Sequence, residues 1–308
     1  MNDAARNGFY RRLLARHVGP GSGVLEIGAG SGLLSILAAR LGAAWVVAVE
    51  GSAEMAALAR ANVEANGLRG RVTILHRLST ELQLRELPRR ADVLVSEIFG
   101  TLLLGESALD YIADVRERLL TKDAKIIPTF ATQYAVPVEC ETLEQITAVS
   151  SWDGIDLSHM MRLQDTASIV FSKQYGFRLN SVPFRFLSEP VALFSLDFST
   201  STRAALKKVF DFELKTNGKG GRAHAWVFYW IATDGSETMS TSPHDTVDNL
   251  PRDTHWGQAI QLIDSEQNLQ FPTPLVLKEG ETYHFRTYMS EDRISIHIQL
   301  LPSSEKTA

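Results

Sequence analysis

The sequence predicts an α/β protein, with a doubly wound parallel sheet in residues 1–128 and a β-rich second half in residues 129–308. Up to about Pro128, short apolar runs alternate with helix-like segments, which is typical of parallel strands covered on both faces. From Thr129 onward, apolar positions recur every second residue, which indicates an antiparallel barrel or sandwich. Residues 152 to about 174 instead carry apolar residues at helical spacing, so we expect an insertion there.

Local signals predict each element in order. Ser52 can cap a helix that Asn66-Gly67 ends, and Gly42 closes the helix before it. The first half is expected to contain, in order, a strand at Val24–Ile27, a glycine turn at 28–32, a helix at Leu33–Leu41, a strand at Trp45–Glu50, a helix at Ala53–Ala65, strands at Val72–Leu75 and Asp92–Val95, and a helix from about Ser107 to Leu120. The second half is expected to contain strands at Gln133–Val138, Val209–Leu214, Tyr283–Tyr288 and Ile294–Leu300.

Composition narrows the class of protein. The 308 residues are 44% hydrophobic and 22% charged, which is ordinary for a globular chain of about two domains. The single cysteine, Cys140, excludes a disulfide framework and a cysteine-rich metal site. No apolar run reaches the roughly 18 residues of a membrane helix, and the N-terminus lacks a signal-peptide core, so we expect a soluble intracellular protein. The net charge of −5 argues against a general nucleic-acid binder, and the acidic residues 129–308 can attract a basic partner.

The glycine turn and the acid that follows it predict a nucleotide-type ligand. Gly28, Gly30 and Gly32 lie between a strand and a helix, where positive φ and close backbone approach are needed. Glu50 ends the next strand, where a carboxylate can accept hydrogen bonds from both hydroxyls of a ribose. The G-x-G-x-G spacing departs from the dinucleotide pattern and disfavours a nicotinamide dehydrogenase. The alternative is a tight turn beside a solvated glutamate. The run Val24–Gly32 resembles the first motif of S-adenosylmethionine-dependent methyltransferases.

Two glutamates, Glu97 and Glu106, flank a mostly apolar loop between a strand end and a helix start. Such a loop can aim both carboxylates into one cleft, where they would suit the planar, multiply donating guanidinium of arginine. The alternative places Glu97 on the surface and makes Glu106 a favourable charge at its helix N-terminus. Apolar neighbours on both sides of Glu97 favour its burial, and a buried carboxylate requires a partner.

Three motifs together resemble the protein arginine methyltransferase family over essentially the whole chain. They are the Ser96–Ser107 loop, which resembles the family's double-glutamate loop, Thr254-His255-Trp256, which resembles its Thr-His-Trp loop, and Asp3, Arg6, Asn7 and Tyr10, which resemble its N-terminal helix. The resemblance implies a β-barrel second domain, an inserted helical dimerisation arm, S-adenosylmethionine as cofactor with S-adenosylhomocysteine as product, and no metal. It also implies arginine-containing basic peptides or proteins as substrates, and a cytoplasmic location that could extend to the nucleus.

The resemblance assigns roles residue by residue. Glu97 and Glu106 would bind the substrate guanidinium, and His255, paired with Asp3, would act as a base or tie the barrel to the cofactor domain. Cofactor contacts would come from Arg6 at the carboxylate, from Glu26, Gly28 and Gly30 at the methionine part, from Glu50 at the ribose and from Ser79 at adenine. Phe99, Trp256 and Gln258 would line the substrate pocket.

The product type is a finer expectation. Leu78–Leu82 and the aliphatic loop resemble the branch of the family that makes only monomethylarginine. A dimethylating enzyme, a small-molecule methyltransferase and an inactive scaffold of the same family stay open as alternatives. The helices that precede this region in the family, and close over the cofactor, are expected to be absent or truncated here.

Overall fold

The computed structural model describes residues 3–143, 151–157, 177–245, 256–263 and 275–302, and the structural statements below concern these residues. The first half is a parallel sheet with helices around it. Its elements are α1 (Ala4–His17), β1 (Gly23–Ile27), α2 (Leu33–Arg40), β2 (Trp45–Glu50), α3 (Ala53–Ala65), β3 (Val72–His76), β4 (Ala91–Ser96), α4 (Ala108–Leu119) and β5 (Leu120–Ile127). The doubly wound half is therefore confirmed.

Strand order in this sheet determines where a ligand can bind. The five strands run parallel in the order β3-β2-β1-β4-β5, so the order reverses between β1 and β4. In open α/β sheets, ligands bind outside the carboxyl ends of the strands at this reversal. Gly28 follows β1 and Glu97 follows β4, so both lie at this position.

Helix boundaries follow the capping signals. The Ser52 side chain accepts a hydrogen bond from the Met55 amide, and Asn66 ends α3, as expected. At the N-terminus of α1, the Asp3 carboxylate accepts a 2.8 Å hydrogen bond from the Arg6 amide. No helix in the described part of the chain is long and apolar enough to span a membrane.

The second half is built from antiparallel strands. They are β6 (Phe130–Glu139), β7 (Ser151–Trp152), β8 (Ile155–Asp156), β9 (Arg185–Phe186), β10 (Val191–Asp197), β11 (Val209–Lys215), β12 (Gly220–Ala223), β13 (Ala225–Thr233), β14 (Thr238–Ser240), β15 (Ala259–Leu262), β16 (Leu275–Lys278), β17 (Thr282–Met289) and β18 (Ile296–Leu300). The largest sheet centres on β6 and β13, with β10, β14, β15 and β9 paired around them. Two further groups, β11-β17-β18 and β12-β16, pair separately.

The predicted insertion begins differently from the expectation. Residues 151–156 form a two-stranded hairpin rather than the start of a helix. Its turn residues, Asp153 and Gly154, have φ of 49° and 77°. Positive φ at both central positions matches the twist of a hairpin, and Asp-Gly favours it. The rest of the predicted arm, from residue 158, lies outside the described residues.

The two halves share one apolar core. Phe198, Trp230 and Trp256 from the second half belong to the same buried cluster as the strands and helices of the first. Two further clusters fill the second half, one of them around Trp226 and Phe285. The interior is therefore continuous from the parallel sheet to β13.

Candidate active site

The glycine turn has the backbone conformation that its residues predict. Gly28, Gly30 and Gly32 have φ of 76°, 52° and 82°. A Cβ on Gly28 would come within 2.6 Å of the Ile98 Cγ2 atom, next to Glu97. α2 begins directly after Gly32 without a side-chain cap. The N–H groups of its first turn are therefore available to a polar ligand.

Glu50 closes this turn from the neighbouring strand. Its Oε2 accepts a 2.8 Å hydrogen bond from the Gly30 amide, and its Oε1 accepts one of 2.9 Å from the Ser52 amide. Two backbone donors thus fix the carboxylate at the carboxyl end of β2. A carboxylate has about four lone-pair positions, so acceptor capacity remains for a ligand hydroxyl.

Glu26 lies beneath the turn rather than at its surface. Its side chain is fully buried on β1 and accepts a hydrogen bond from the Ser35 hydroxyl of α2. Burial raises the pKa of Glu26 to about 8, with a smaller contribution from Glu50 and Glu97, while the Ser35 hydrogen bonds oppose the rise. At neutral pH the group is therefore mostly uncharged, and it ties β1 to α2.

Ser79 provides an unused hydrogen-bonding group at the same edge of the sheet. It begins a short 3-10 turn, residues 79–81, after β3. The side chain is buried, and its Oγ has no hydrogen-bond partner in the described structure. The backbone oxygen accepts a 3.1 Å hydrogen bond from the Arg118 Nη2 atom, which holds the turn in place. A buried hydroxyl without a partner is uncommon and is consistent with a ligand contact.

Glu97 is paired with the arginine of α1. The Arg6 Nη1 atom lies 3.1 Å from the Glu97 Oε2 atom, and both side chains are largely shielded from solvent. Burial raises the pKa of Glu97 to about 7; Arg6 opposes this rise, while Glu106 and Asp3 reinforce it. Arg6 also lies over the Trp256 ring, 5.8 Å from its centroid, which is a cation–π contact.

The loop between the two glutamates folds back on itself through two glycines. A Cβ on Gly105 would lie 3.0 Å from the Leu102 carbonyl oxygen and 3.2 Å from the Gly100 Cα atom. A Cβ on Gly100 would lie 2.9 Å from the Gly105 Cα atom. Only residues without a side chain permit this approach. The loop therefore has a narrow neck, with Glu97 before it and Glu106 directly after it.

Glu106 differs from Glu97 in its surroundings. Its side chain is partly exposed, and within the described residues its carboxylate accepts no hydrogen bond and makes no ion pair. Partial burial, with repulsion from Glu50, raises the pKa of Glu106. Repulsion thus acts between Glu97 and Glu106 and between Glu106 and Glu50, and Arg6 is paired with Glu97. The cleft consequently favours a positively charged ligand.

The second half holds the loop by its backbone. The indole Nε1 of Trp256 donates to the Phe99 carbonyl at 2.8 Å, and that of Trp230 donates to the Gly100 carbonyl at 3.0 Å. The Phe99 ring is itself buried against Phe198 and Trp230. Phe99 and Trp256, which we expected in a substrate pocket, therefore lie at the junction of the two halves.

The other expected site residues are placed as follows. Asp3 is buried and caps α1, one turn away from Arg6. Gln258 lies in the second half, where its amide donates to the Thr241 carbonyl at 2.9 Å and accepts from the Leu179 amide at 3.0 Å. The described contacts do not connect Gln258 with Glu97 or Glu106. His255 and Thr254 lie outside the described residues.

Sequence reasoning missed several supporting contacts. The Tyr10 hydroxyl donates to the Ser96 carbonyl at 2.9 Å and so fixes α1 against the end of β4. Trp230, a buried residue of β13, also donates to the loop at the Gly100 carbonyl. Gln133, which was given no role, contacts the loop as well. Gln133 could have been noticed in the sequence because it is a polar residue at a position of β6 that faces the interior.

No group of three or more histidine, cysteine or acidic side chains with a metal-binding arrangement occurs among the described residues. The site is instead a glycine turn beside a carboxylate cluster. Among the described residues, its available contacts are backbone amides, carboxylates, the Ser79 hydroxyl and the Arg6 guanidinium.

Comparison with known proteins places this architecture in a class and then in a family. Residues 12–125 match the family model described as ribosomal protein L11 methyltransferase (PrmA). This match, with the doubly wound sheet and its glycine turn, defines the class as a methyltransferase. Residues 129–299, more than half of the chain, match the model described as the arginine methyltransferase oligomerization subdomain. The chain belongs to the protein arginine methyltransferase family.

Individual relatives agree with this assignment. Arginine N(omega)-methyltransferase of Streptomyces achromogenes subsp. streptozoticus is 31% identical over 299 residues, which cover 97% of this chain and 77% of that protein. Protein arginine N-methyltransferase 7 of Oryza sativa subsp. japonica is 33% identical over 297 residues, which cover 86% of this chain and 40% of the relative. The chain spans less than half the length of the protein arginine N-methyltransferase 7 relatives that it matches.

A solved structure supports the fold over almost the whole chain. The Trypanosoma brucei PRMT1 enzyme–prozyme heterotetrameric complex with AdoHcy superposes with a TM-score of 0.77 and 26% identity. The match covers 98% of this chain and 92% of that one. Both halves of the architecture are therefore shared with a member of the family.

Proposed function

We propose that this protein transfers a methyl group from S-adenosylmethionine to a terminal guanidinium nitrogen of arginine in basic peptides or proteins. The observation that carries the proposal is the carboxylate cluster around Glu97 and Glu106, next to the glycine turn that follows β1. A guanidinium offers five N–H donors and a permanent positive charge, which this cluster complements. The family of the chain agrees with this reading.

The residues present fit the cofactor. The Glu50 carboxylate, held by two backbone amides, suits the ribose hydroxyls, and the unpartnered Ser79 hydroxyl suits adenine. The glycine turn, which follows the strand that carries Glu26, would contact the methionine part, and a Cβ at Gly30 would meet nothing within 4 Å. Arg6 is positioned to bind the cofactor carboxylate if it exchanges or shares its contact with Glu97. When bound, S-adenosylmethionine supplies the electrophilic methyl group.

Glu97 and Glu106 would orient the arginine and polarise it. Hydrogen bonds from the guanidinium to both carboxylates concentrate its positive charge on one side and leave one terminal nitrogen more electron-rich. A bound cation favours ionised Glu97, which lowers its pKa from about 7. Positioning and charge distribution thus provide most of the catalysis. His255 is proposed as a residue that pairs with Asp3 and helps remove the proton lost after transfer.

Monomethylarginine is the proposed product, and a homodimer is the proposed assembly. The product assignment follows from the Leu78–Leu82 resemblance and agrees with relatives named protein arginine N-methyltransferase 7. The assembly follows from the inserted arm, and the family model for residues 129–299 is described as an oligomerization subdomain. The domain boundary is proposed between residues 128 and 129, where β5 ends and β6 follows.

Free arginine is a second candidate substrate. The Streptomyces relative, of which the chain covers 77%, is named for arginine itself. A cleft that recognises only the guanidinium would accept the amino acid as well as a peptide. The two substrates differ in the backbone groups next to the arginine side chain. An assay with each substrate distinguishes between them.

Mass spectrometry after incubation with S-adenosylmethionine tests the proposal. The substrates would be an arginine-rich peptide, the same peptide with lysine at each arginine, and free L-arginine. We expect a gain of one methyl group on arginine in the first peptide and no change in the lysine peptide. Methylated free arginine with an unmodified peptide would support the second candidate. No methyl transfer to any arginine, with the protein folded and S-adenosylhomocysteine bound, would refute the proposed activity.

A further inference from the structure

Gln133 is a buried polar residue at the junction between β6 and the double-glutamate loop. Its side chain has no exposed surface. β6 pairs with β13, and Gln133 lies opposite Trp230, whose indole binds the same loop at Gly100. A buried amide in a strand of this kind is costly unless its groups are hydrogen-bonded.

Both ends of the Gln133 amide are satisfied by backbone atoms. The Oε1 atom accepts a 2.9 Å hydrogen bond from the Leu103 amide, in the middle of the loop. The Nε2 atom donates to the Tyr229 carbonyl of β13 at 2.9 Å and to the Tyr134 carbonyl at 3.2 Å. One side chain therefore connects the loop to the backbone of two strands.

The chemistry of an amide suits this position. Leu103 is fully buried, so its N–H group needs an acceptor within the protein. The Gln133 amide provides an acceptor for this N–H group and a donor to the Tyr229 carbonyl on one planar unit. Together with the two indoles at Phe99 and Gly100, this gives the loop three anchored backbone positions. The anchored stretch lies between Glu97 and Glu106.

We propose that Gln133 is a positioning residue that holds the double-glutamate loop in the conformation that aims both carboxylates at the substrate. This inference rests on the proposed function, because the loop matters through Glu97 and Glu106. Gln133 itself does not touch the substrate. It acts through the Leu103 amide, and its loss leaves the glycine turn and Glu50 in place.

Gln133→Met tests the inference because methionine has a similar shape but cannot form the hydrogen bonds. The matched control is Gln261→Met. Gln261 is also buried, and its amide accepts from the Ile298 amide at 2.8 Å and donates to the Ile298 carbonyl at 2.6 Å, with no contact to the loop. Both variants lose hydrogen bonds between a buried side-chain amide and backbone groups of the second half. Gln133→Met also loses the hydrogen bond to the Leu103 amide in the loop, whereas Gln261→Met does not affect the loop.

We expect Gln133→Met to lower kcat about 10-fold or more, because small displacements of positioning groups are costly for catalysis. The Kd for S-adenosylhomocysteine should stay within about twofold of wild type, and Gln261→Met should keep the wild-type kcat. Gln133→Glu retains an acceptor for Leu103 and provides a second variant if methionine prevents folding. Its kcat should lie between that of Gln133→Met and that of the wild type.

Three outcomes are distinguishable in this experiment. Inactive wild-type protein would refute the proposed function, not the inference about Gln133. Active wild type with an unchanged kcat in both Gln133 variants would overturn the positioning role. An equal loss of kcat in Gln133→Met and Gln261→Met, with equally lowered Tm, would also overturn it, because the effect would then be general destabilisation.

Discussion

Three glutamates at the site differ in charge because each has different surroundings. Glu26 is buried with a neutral serine as its partner, and its pKa is raised to about 8. Glu97 is buried but faces Arg6, and its pKa is raised to about 7. Glu106 lies at the exposed side without a hydrogen-bond partner among the described residues. We infer that Glu97 and Glu106 bind the cationic substrate and that Glu26 supports the turn.

Glu97→Gln and Glu106→Gln are each expected to reduce kcat by ~10²-fold or more, in the range of a lost electrostatic contact in an active site. An amide keeps the shape of the side chain but cannot provide the negative charge that the guanidinium requires. Steady-state methylation of the arginine-rich peptide measures this effect.

Glu50→Ala is the contrasting variant. It removes the proposed ribose contact, so it should weaken cofactor binding measured by calorimetry, while both glutamine variants keep wild-type affinity for S-adenosylhomocysteine. Near-normal turnover in both glutamine variants would contradict the assignment of Glu97 and Glu106.

The buried Glu26 predicts that stability falls as pH rises. Its pKa is near 4.3 in an unfolded chain and about 8 in the folded protein, so the folded state binds the extra proton between these values. The stabilisation is complete below the unfolded pKa and is lost as pH rises to about 8, with a slope of up to about 1.4 kcal/mol per pH unit.

Urea unfolding of the wild type and Glu26→Gln from pH 5 to pH 8 measures this slope. Glutamine cannot ionise, so its stability should depend less on pH, and its advantage over the wild type should grow towards pH 8. Parallel pH curves for the two proteins would show that Glu26 does not titrate in this range.

Among the elements, the 97–106 loop depends most on backbone geometry. Its neck requires two glycines in contact, and its middle is held by side chains of β6 and β13. The positions of Glu97 and Glu106 therefore depend on the parallel sheet that ends before Glu97 and on the antiparallel sheet that contains β6 and β13, although both residues belong to one short segment. This arrangement explains why a local change in the loop should affect catalysis more than folding.

Gly105→Ala is expected to lower kcat about 10-fold, because its Cβ would meet the Leu102 carbonyl and the Gly100 backbone. The neck must then open and move Glu106. Gly70→Ala is the control, since a Cβ at that turn meets nothing within 4 Å. Kinetics of both variants, with calorimetric binding of S-adenosylhomocysteine, test the prediction. Equal kcat in Gly105→Ala and the wild type would show that the neck does not position Glu106.

Local signals predicted the elements well where they act over a few residues. The Ser52 cap and the Asn66-Gly67 stop fixed the bounds of α3, and the glycine turn has the expected positive φ. The strand expected from Ile294 begins instead at Ile296, because the Ser290 and Asp292 side chains accept hydrogen bonds from the Ser295 and Ile294 amides and hold a turn there.

Such local signals do not predict contacts between residues that are far apart in the sequence. Arg6 and Glu97 lie 91 positions apart, and the sequence does not show that they pair. Gln133 on β6 and Leu103 in the double-glutamate loop are 30 positions apart. The first contact forms where α1 packs against the end of β4, and the second forms where β6 packs against the loop. The motif points to the carboxylates that we propose to bind the substrate, and the tertiary structure determines how they are held.

At the scale of the molecule, α1 connects the two halves. Its start carries Arg6 at the site, and its end is bound to the β13–β14 hairpin, where Arg12 contacts Glu237 and Arg16 contacts Asp234. The shared core around Trp230 and Trp256 joins the halves below it. The second half thus holds both α1 and the double-glutamate loop, the two elements of the first half that border the site.

Exposed apolar side chains lead to a prediction about assembly. On the β7–β8 hairpin, Trp152 is 70% exposed and Ile155 is 55% exposed, and Leu58 on the outer face of α3 is 46% exposed. We propose that a second copy covers them, in keeping with the homodimer. Burial of a tryptophan side chain provides much of the energy of an interface. Trp152→Glu should therefore shift the protein towards the monomer.

Light scattering at micromolar concentration measures this shift. Wild type should have twice the chain mass of 34.1 kDa, and Trp152→Glu should approach the chain mass itself. Val276→Glu is the matched control, because Val276 is a 59% exposed apolar residue on β16 and lies outside the proposed interface. A wild-type protein with the mass of a monomer would contradict the proposed homodimer. A dimer in which Trp152→Glu and Val276→Glu behave alike would place its interface elsewhere, because a charge at a buried contact costs far more than one at the surface.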